Sequence, residues 1–241
     1  MKTIRPFTFK QFIVKQDQCA LKVNTDAVLL GALAETVQPE DILDIGAGTG
    51  VISLMLAQRY PYSNLSSVEI EYKAFLQAKD NFENSPWSDR MQVFHIPFQE
   101  YVNSLNGSKK YDLIVSNPPY YHNHLKSLTL EKNIALHSDL LTFEELSVGI
   151  AELLSPQGKF YAILPPVQMK RLEICLSKQG LYPHEIVEVK DRPATKPIRL
   201  ITSFAFGAST SPYHVKMNIK DDNGNYAETY ASLLQDFLII F

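Results

Sequence analysis

The sequence predicts an α/β domain, a mainly parallel β-sheet with helices on both faces. Three observations carry that prediction. Between Glu40 and Phe206, short apolar runs alternate with segments whose apolar residues recur at helical spacing. One strand-to-helix junction holds three glycines within five residues, Gly46, Gly48 and Gly50. The last two strand-like runs have no helical segment between them, so at least one antiparallel pair is expected in an otherwise parallel sheet.

Taken in order, Asp41 to Ile45 is a short apolar strand and Val51 to Tyr60 a helix. Leu65 to Ile70 reads as a strand, Glu71 to Glu83 as a helix, and Met91 to Ile96 as the third strand. Tyr111 to Ser116 is the fourth strand and ends in Asn117-Pro118-Pro119-Tyr120. Thr142 followed three residues later by Glu145 is a capping box that opens a helix, and Ser155-Pro156-Gln157-Gly158 stops it. Lys159 to Leu164 is the fifth strand, and Pro166 to Gln179 a helix that Gly180 ends. Ile186 to Lys190 and Arg199 to Phe206 are the remaining two, joined by a loop containing Arg192, Pro193 and Lys196. The expectation is therefore a seven-stranded sheet whose last strand is antiparallel.

The whole chain, 1–241, reads as one domain. Residues 1–38 form an N-terminal appendage, 39–207 the core, and 208–241 a C-terminal extension with a turn at Asp222-Asn223-Gly224 and a helix from Tyr226 onward. Composition is that of a globular protein, 45% hydrophobic and 20% charged. No apolar run approaches the ~20 residues of a membrane span. The first twelve residues carry Lys2, Arg5 and Lys10 and no apolar stretch of signal-peptide type. Cys19 and Cys175 are read as buried hydrophobes rather than a disulfide framework, so a reduced, cytoplasmic setting is expected.

Net charge is −3, which excludes a basic field over the whole surface. Local bias remains. Residues 1–25 hold five cations, Lys2, Arg5, Lys10, Lys15 and Lys22, against Asp17, and residues 190–199 hold Lys190, Arg192, Lys196 and Arg199 against Asp191. These segments read either as solvated surface or as a phosphate-binding face on which Lys10 and Arg192 contact RNA.

The glycine turn is the first chemical signal. A dinucleotide-binding turn needs its third glycine at the sixth position, where this chain has Val51. Here the glycines occupy the first, third and fifth positions, with Asp44 two residues ahead. That spacing resembles the first motif of the Rossmann-like methyltransferases. By that resemblance Asp44, Gly46, Gly48 and Gly50 line the methionine part of S-adenosylmethionine, and the third strand end, His95 to Phe98, meets its adenine. Glu69 ends the next strand, 19 residues after Gly50, where an acid can accept both hydroxyls of a ribose diol.

Asn117-Pro118-Pro119-Tyr120 is the second signal. In the expected sheet it sits at the carboxyl edge beside the glycine turn, where open α/β sheets bind ligands. Two prolines hold the backbone rigid and remove two amide donors. An aromatic amino nitrogen is a poor nucleophile because its lone pair is delocalised into the ring. The Asn117 side-chain oxygen and the Pro118 carbonyl can accept its two hydrogens and localise that lone pair, while Tyr120 stacks on the base. No general base is needed before transfer. Pro119 completes the substrate side. His122 and His124 lack an obvious third metal ligand, so no metal site is expected. His137 is a further candidate for the substrate pocket. Asp26 reads either as the cap of a helix over Ala27 to Ala34 or as a functional residue together with Thr25.

The N-terminal run Phe7-Thr8-Phe9-Lys10-Gln11-Phe12, and then Cys19-Ala20-Leu21-Lys22-Val23-Asn24-Thr25-Asp26-Ala27 through Gly31, looks like the signature of the bacterial tRNA1(Val) (adenine-37) N6-methyltransferases. The ending Tyr226 to Phe241 resembles that family's C-terminal helix, so the resemblance spans nearly the whole chain. It implies a Rossmann-like class I methyltransferase fold, S-adenosyl-L-methionine as cofactor, and tRNA as partner. It also implies a lid over the cofactor that contains Lys22, Thr25 and Asp26, and N6 methylation of an adenine beside the anticodon of a valine tRNA. A monomer without membrane attachment is expected. The alternative is a protein-glutamine N5-methyltransferase acting on release factors. That type shares Asn-Pro-Pro-Tyr but carries a sizeable helical domain ahead of its core, where this chain has about 38 residues.

Overall fold

The computed structural model describes residues 5–118, 141–207 and 211–241. Two short strands come first, β1 (Phe7–Thr8) and β2 (Ile13–Val14), followed by helix α1 (Thr25–Leu33). The core then alternates β3 (Asp41–Ile45), α2 (Val51–Arg59), β4 (Asn64–Glu69), α3 (Tyr72–Glu83), β5 (Met91–His95), α4 (Phe98–Leu105) and β6 (Tyr111–Ser116). Helix α5 (Phe143–Leu153), β7 (Leu154–Leu164), α6 (Pro166–Ser177), β8 (Leu181–Lys190) and β9 (Arg199–Phe206) complete it. After them come β10 (Tyr213–Asn218) and α7 (Glu228–Leu234).

The main sheet has the order β10-β8-β9-β7-β6-β3-β4-β5. The seven expected strands are β3 to β9. Of these only β9 runs against its neighbours, antiparallel to both β7 and β8. The sheet is eight-stranded rather than seven, because β10 adds at one edge, parallel to β8. It comes from the segment expected to lie outside the core, and its alternation puts Val215 and Met217 against apolar neighbours and Lys216 in solvent.

Each face of the sheet carries its own apolar core. Ile42, Leu113, Val115, Tyr161 and Ile163 point to one face, where residues of α1, α2, α3 and α7 cover them. Leu43, Ile45, Ile114, Phe160 and Ala162 point to the other, under α4, α5 and α6. The period-2 alternation of side chains along a strand is what divides the sequence Ile42, Leu43 and Leu113, Ile114 between the two. The capping box at Thr142 is present, with Thr142 Oγ1 accepting from the Glu145 amide and the Glu145 carboxylate accepting from the Thr142 amide.

Helix α1 starts differently from the expectation. Its cap is Asn24, whose side chain accepts from the Ala27 amide at 3.0 Å. Asp26 is inside the first turn instead, and its carboxylate accepts from Arg199 Nε at 2.6 Å. Asn24 is one residue ahead of the helix with extended backbone, the geometry a cap needs, so Asp26 is left free to pair across the fold.

Candidate active site at the carboxyl edge

Four adjacent parallel strands, β6, β3, β4 and β5, end at one edge of the sheet, and their last residues are in register. Ser116 pairs with Ile45, Ile45 with Val68, and Glu69 with His95. The residues that follow therefore stand in a row at strand spacings of about 4.8 Å. Gly46 follows β3, Glu69 closes β4, His95 closes β5, and Asn117 follows β6. Ser116 Oγ donates to the Ile45 carbonyl at 2.9 Å and ties the two central strand ends together. The tertiary register thus brings the glycine turn beside Asn117, as the sequence predicts.

The glycine turn owes its shape to residues without a side chain. Gly46, Gly48 and Gly50 have φ of 81°, 56° and 79°. A Cβ on Gly46 or Gly48 would meet nothing within 4 Å, so both face open space, whereas one on Gly50 would lie 2.4 Å from the Phe82 ring. Gly50 is thus a packing glycine, and Gly46 and Gly48 leave backbone accessible to a ligand.

The acids around the turn are arranged with the backbone. Glu69 is buried, and each of its carboxylate oxygens accepts one amide, Gly48 N–H at 2.8 Å and Glu71 N–H at 2.8 Å. Each oxygen retains a lone pair. Asp44 is fully buried, with Ser53 Oγ donating to its Oδ2 at 2.7 Å and Ser67 Oγ 2.9 Å beyond that hydroxyl. Its Oδ1 has no hydrogen-bond partner among the described residues. Burial pushes the Asp44 carboxyl up to about 7, with the Ser53 hydrogen bond opposing and the Glu69 charge adding to the rise.

An N-terminal arm lies over this turn. Lys22 Nζ donates to the carbonyls of Gln16 and Cys19, both at 2.5 Å, and so closes the 16–22 segment on itself. Cys19 is buried as expected, and desolvation, then the Glu69 and Glu71 charges, push its thiol up to about 11. Two buried side chains of α3 hold the arm. Gln77 accepts the Gln18 amide at 2.9 Å, and Asn81 bonds both the amide and the carbonyl of Lys15. Gln77 and Asn81 escaped the sequence reading. The only signal was two amides four residues apart on the apolar face of an amphipathic helix.

The remaining candidates divide. Asn117 is half-buried and Pro118 buried at the end of β6. Pro119, Tyr120 and His137 lie outside the described residues, as do His122 and His124. Thr25 is exposed at the start of α1. Arg192 is exposed in the loop after β8, at the same sheet edge as Asn117. Lys10 is not brought to this edge. Its ammonium donates to the carbonyls of Gln235 and Phe241, beside the far ends of α1 and α2 at Ala32 and Arg59. His95 Nε2 lies 3.0 Å from the Ile70 carbonyl, and its ring stacks on Phe75 with centroids 5.3 Å apart. That makes an aromatic wall at the end of β5.

This is the architecture of a Rossmann-like class I methyltransferase: the sheet order, a glycine turn after its central strand, and an acid closing the next one. The model of the methyltransferase small domain matches residues 23–141. A tRNA1(Val) (adenine(37)-N6)-methyltransferase of Christiangramia forsetii is 42% identical over 238 residues, 98% of each chain. One of the same name from Bacteroides fragilis is 40% identical over 240 residues, 97% of each chain. The chain belongs to the tRNA1(Val) (adenine(37)-N6)-methyltransferase family. Among solved structures, a predicted O-methyltransferase from Agrobacterium tumefaciens superposes with TM-score 0.65 at 17% identity, covering 88% of this chain and 96% of that one. M. jannaschii TYW2 in complex with AdoMet gives 0.58 at 13% identity, covering 86% and 88%. Both likenesses bear on the fold. No helix among the described residues is long and apolar enough to cross a membrane.

Proposed function

We propose that this protein methylates the exocyclic N6 amino group of adenine 37 in a valine tRNA, in the cytoplasm, with S-adenosylmethionine as donor. One observation carries the reading: the register that sets Asn117-Pro118 beside the glycine turn in a chain of this family.

The residues present suit the donor. The partnerless Asp44 Oδ1 is a buried acceptor suited to an ammonium group. The open space at Gly46 and Gly48 admits the methionine part against backbone. The Glu69 oxygens, each with one amide and one spare lone pair, suit a ribose diol. Lys22 and Cys19 shape the arm above, and Thr25 and Asp26 continue it into α1. S-adenosylmethionine supplies an electrophilic methyl group on a sulfonium.

Asn117 Oδ1 and the Pro118 carbonyl accept the two hydrogens of the target amino group. That draws the nitrogen toward tetrahedral geometry and aims its lone pair at the methyl carbon. Forming the nitrogen–carbon bond would break the carbon–sulfonium bond and leave a neutral thioether, and the extra proton on the nitrogen leaves to water. Tyr120 stacks on the adenine, with Pro119 and His137 on the substrate side. Arg192 contributes to phosphate binding, whereas Lys10, engaged by two carbonyls, is left out of this reading.

The test is transfer of labelled methyl from S-adenosylmethionine to unmodified total tRNA, followed by nucleoside analysis. The wild type should yield N6-methyladenosine, and Asn117→Ala should slow transfer by roughly 10²- to 10³-fold with cofactor binding retained. Cofactor binding without label in any RNA overturns the reading and directs the assay to glutamine side chains of release factors.

A further inference from the structure

A hollow lies between the N-terminal segment, the start of α1 and the C-terminal end. It measures about 440 Å³ and is lined by Thr8, Asn24, Thr25, Tyr226, Tyr230 and the segment 238–240, among others. That volume falls within the range of small-ligand sites. Aliphatic residues make up much of the lining, and one part of the wall is aromatic. Tyr226 stacks on Tyr230 with centroids 5.6 Å apart and ring planes at 11°, and Phe241 meets both edge-on. Tyr230 is buried, so the pair is rigid, while Tyr226 is 46% exposed. The exposed residues Thr8 and Thr25 also line it.

Charge singles out the neighbourhood. Residues 190–222 hold six Lys and Arg against three acids, Asp191, Asp221 and Asp222, although the chain as a whole is acidic, and Asp191 pairs with Arg192 at 3.6 Å. The backbone brings this segment to the hollow. The Ile219 and Lys220 amides donate to the Lys190 and Asp191 carbonyls, at 2.9 Å each. Lys220 also bridges to Tyr226, and a side chain at Gly224 would come within 3.9 Å of Arg192 Nη2. Arg192 and Lys196 are exposed and Lys220 is partly so. Because β8 and β10 run parallel to the central strands, these cations sit at the carboxyl edge, as Asn117 does. The hollow is lined from the N-terminal segment, the start of α1 and the C-terminal end, with no lining residue from the ends of β3 to β6 where Asn117 stands.

We propose that the hollow is a second nucleobase site, in which a single-stranded RNA base other than the one methylated stacks on Tyr226 while Arg192, Lys196 and Lys220 hold the adjoining phosphates. Every base has a π-face, so an exposed tyrosine backed by a buried one is a platform for any of the four. A flanking cationic loop supplies the phosphate contacts that single-stranded RNA requires, and it makes binding salt-dependent. The site deepens the RNA-methylating reading given above and rests on it. Its role is to dock the substrate, so its loss changes RNA affinity and leaves the chemical step alone.

The test is binding of a short fluorescent oligouridylate to the full-length protein, across a salt series. This probe contains no adenine, so it reports the hollow independently of methyl transfer. Tyr226→Ala should weaken binding roughly five- to hundredfold, the range for loss of one base–aromatic stack, and Tyr226→Phe should restore it. With tRNA as substrate, Tyr226→Ala should raise KM by a similar factor at unchanged kcat, and S-adenosylmethionine affinity should not move. Arg192→Glu should reduce the salt slope by about one. Absent binding by the wild type, equal binding by Tyr226→Ala, or no rescue by Tyr226→Phe overturns the site. So does dimerisation that Tyr226→Ala abolishes, which would reassign the hollow to a second copy of this chain. Tyr226-dependent oligouridylate binding in a protein that methylates no RNA would leave the hollow standing and overturn only the proposed reaction.

Discussion

The Asn81 side-chain amide donates to the Thr49 carbonyl at 2.8 Å, and the same amide donates to the Lys15 carbonyl at 2.8 Å. Its oxygen accepts the Lys15 amide at 2.9 Å, and the whole side chain is buried on α3. One residue therefore joins the N-terminal arm to the glycine turn. Asn81→Ala strands three backbone groups, each costing about 1–3 kcal/mol where water does not reach it. With partial rehydration of the exposed arm, stability should fall by about 2–4 kcal/mol in denaturant unfolding. S-adenosylmethionine affinity should fall roughly tenfold, equivalent to about 1.4 kcal/mol, when titrated calorimetrically in the folded variant. A folded Asn81→Ala protein with full cofactor affinity would show that the arm and the turn act independently.

Glycine substitutions in the turn separate packing from ligand access. Gly50→Ala places a Cβ 2.4 Å from Phe82 at φ 79°, so both overpacking and left-handed strain act. A loss of about 2–4 kcal/mol follows, and a lowered melting temperature is the readout. Gly46→Ala, at φ 81° with open space around its Cβ, should cost only the strain, about 1–2 kcal/mol. Its larger effect should be on cofactor binding, because the new methyl occupies the ligand's approach. Equal destabilisation by the two substitutions would contradict this division.

Asp44 should make both stability and cofactor binding depend on pH near neutrality. Its carboxyl is raised from 3.8 to about 7 by burial, so between these values the folded state binds more protons than the unfolded state. Stability from this group is therefore greatest below pH ~4 and is lost as pH rises toward 7, a slope of up to about 1.4 kcal/mol per pH unit. Asp44→Asn should flatten that slope in urea melts between pH 5 and pH 8. A cationic ligand favours the ionised form, so S-adenosylmethionine affinity should rise over the same interval with proton release, measurable by calorimetry in buffers of different ionisation enthalpy. Affinity that is flat with pH would mean that Asp44 does not meet the ligand's charge.

Much of this was legible in the chain. Strands and helices of the core could be read because their apolar periodicity is set by residues a few positions apart. The elements missed were those with weak local signals. Helix α4 spans eight residues and has no side-chain cap, and β10 is a short edge strand with only two inward apolar residues. Strand β8 begins five residues earlier than expected, at Leu181 rather than Ile186, because Tyr182 and Pro183 pair with β9 beside a register shift. Asp26 offered two readings, helix cap or functional residue, and a neighbouring Asn with better backbone geometry took the cap.

By itself the sequence determined the alternation of strands and helices, the left-handed glycine turn after β3, and the rigid Asn117-Pro118 turn after β6. These depend on nearest neighbours, on glycine's missing Cβ and on proline's fixed φ. Only the tertiary structure decided which of these turns would meet, through the pairing of Ile45 with Ser116. It also decided that Asp26 pairs with Arg199, 173 residues away, that Asn81 clamps Lys15 to Thr49, and that Lys10 turns to the carbonyls of Gln235 and Phe241. Such contacts form between groups far apart in the chain, whose proximity is set by how the sheet and both its helical layers pack, and no local pattern encodes that distance.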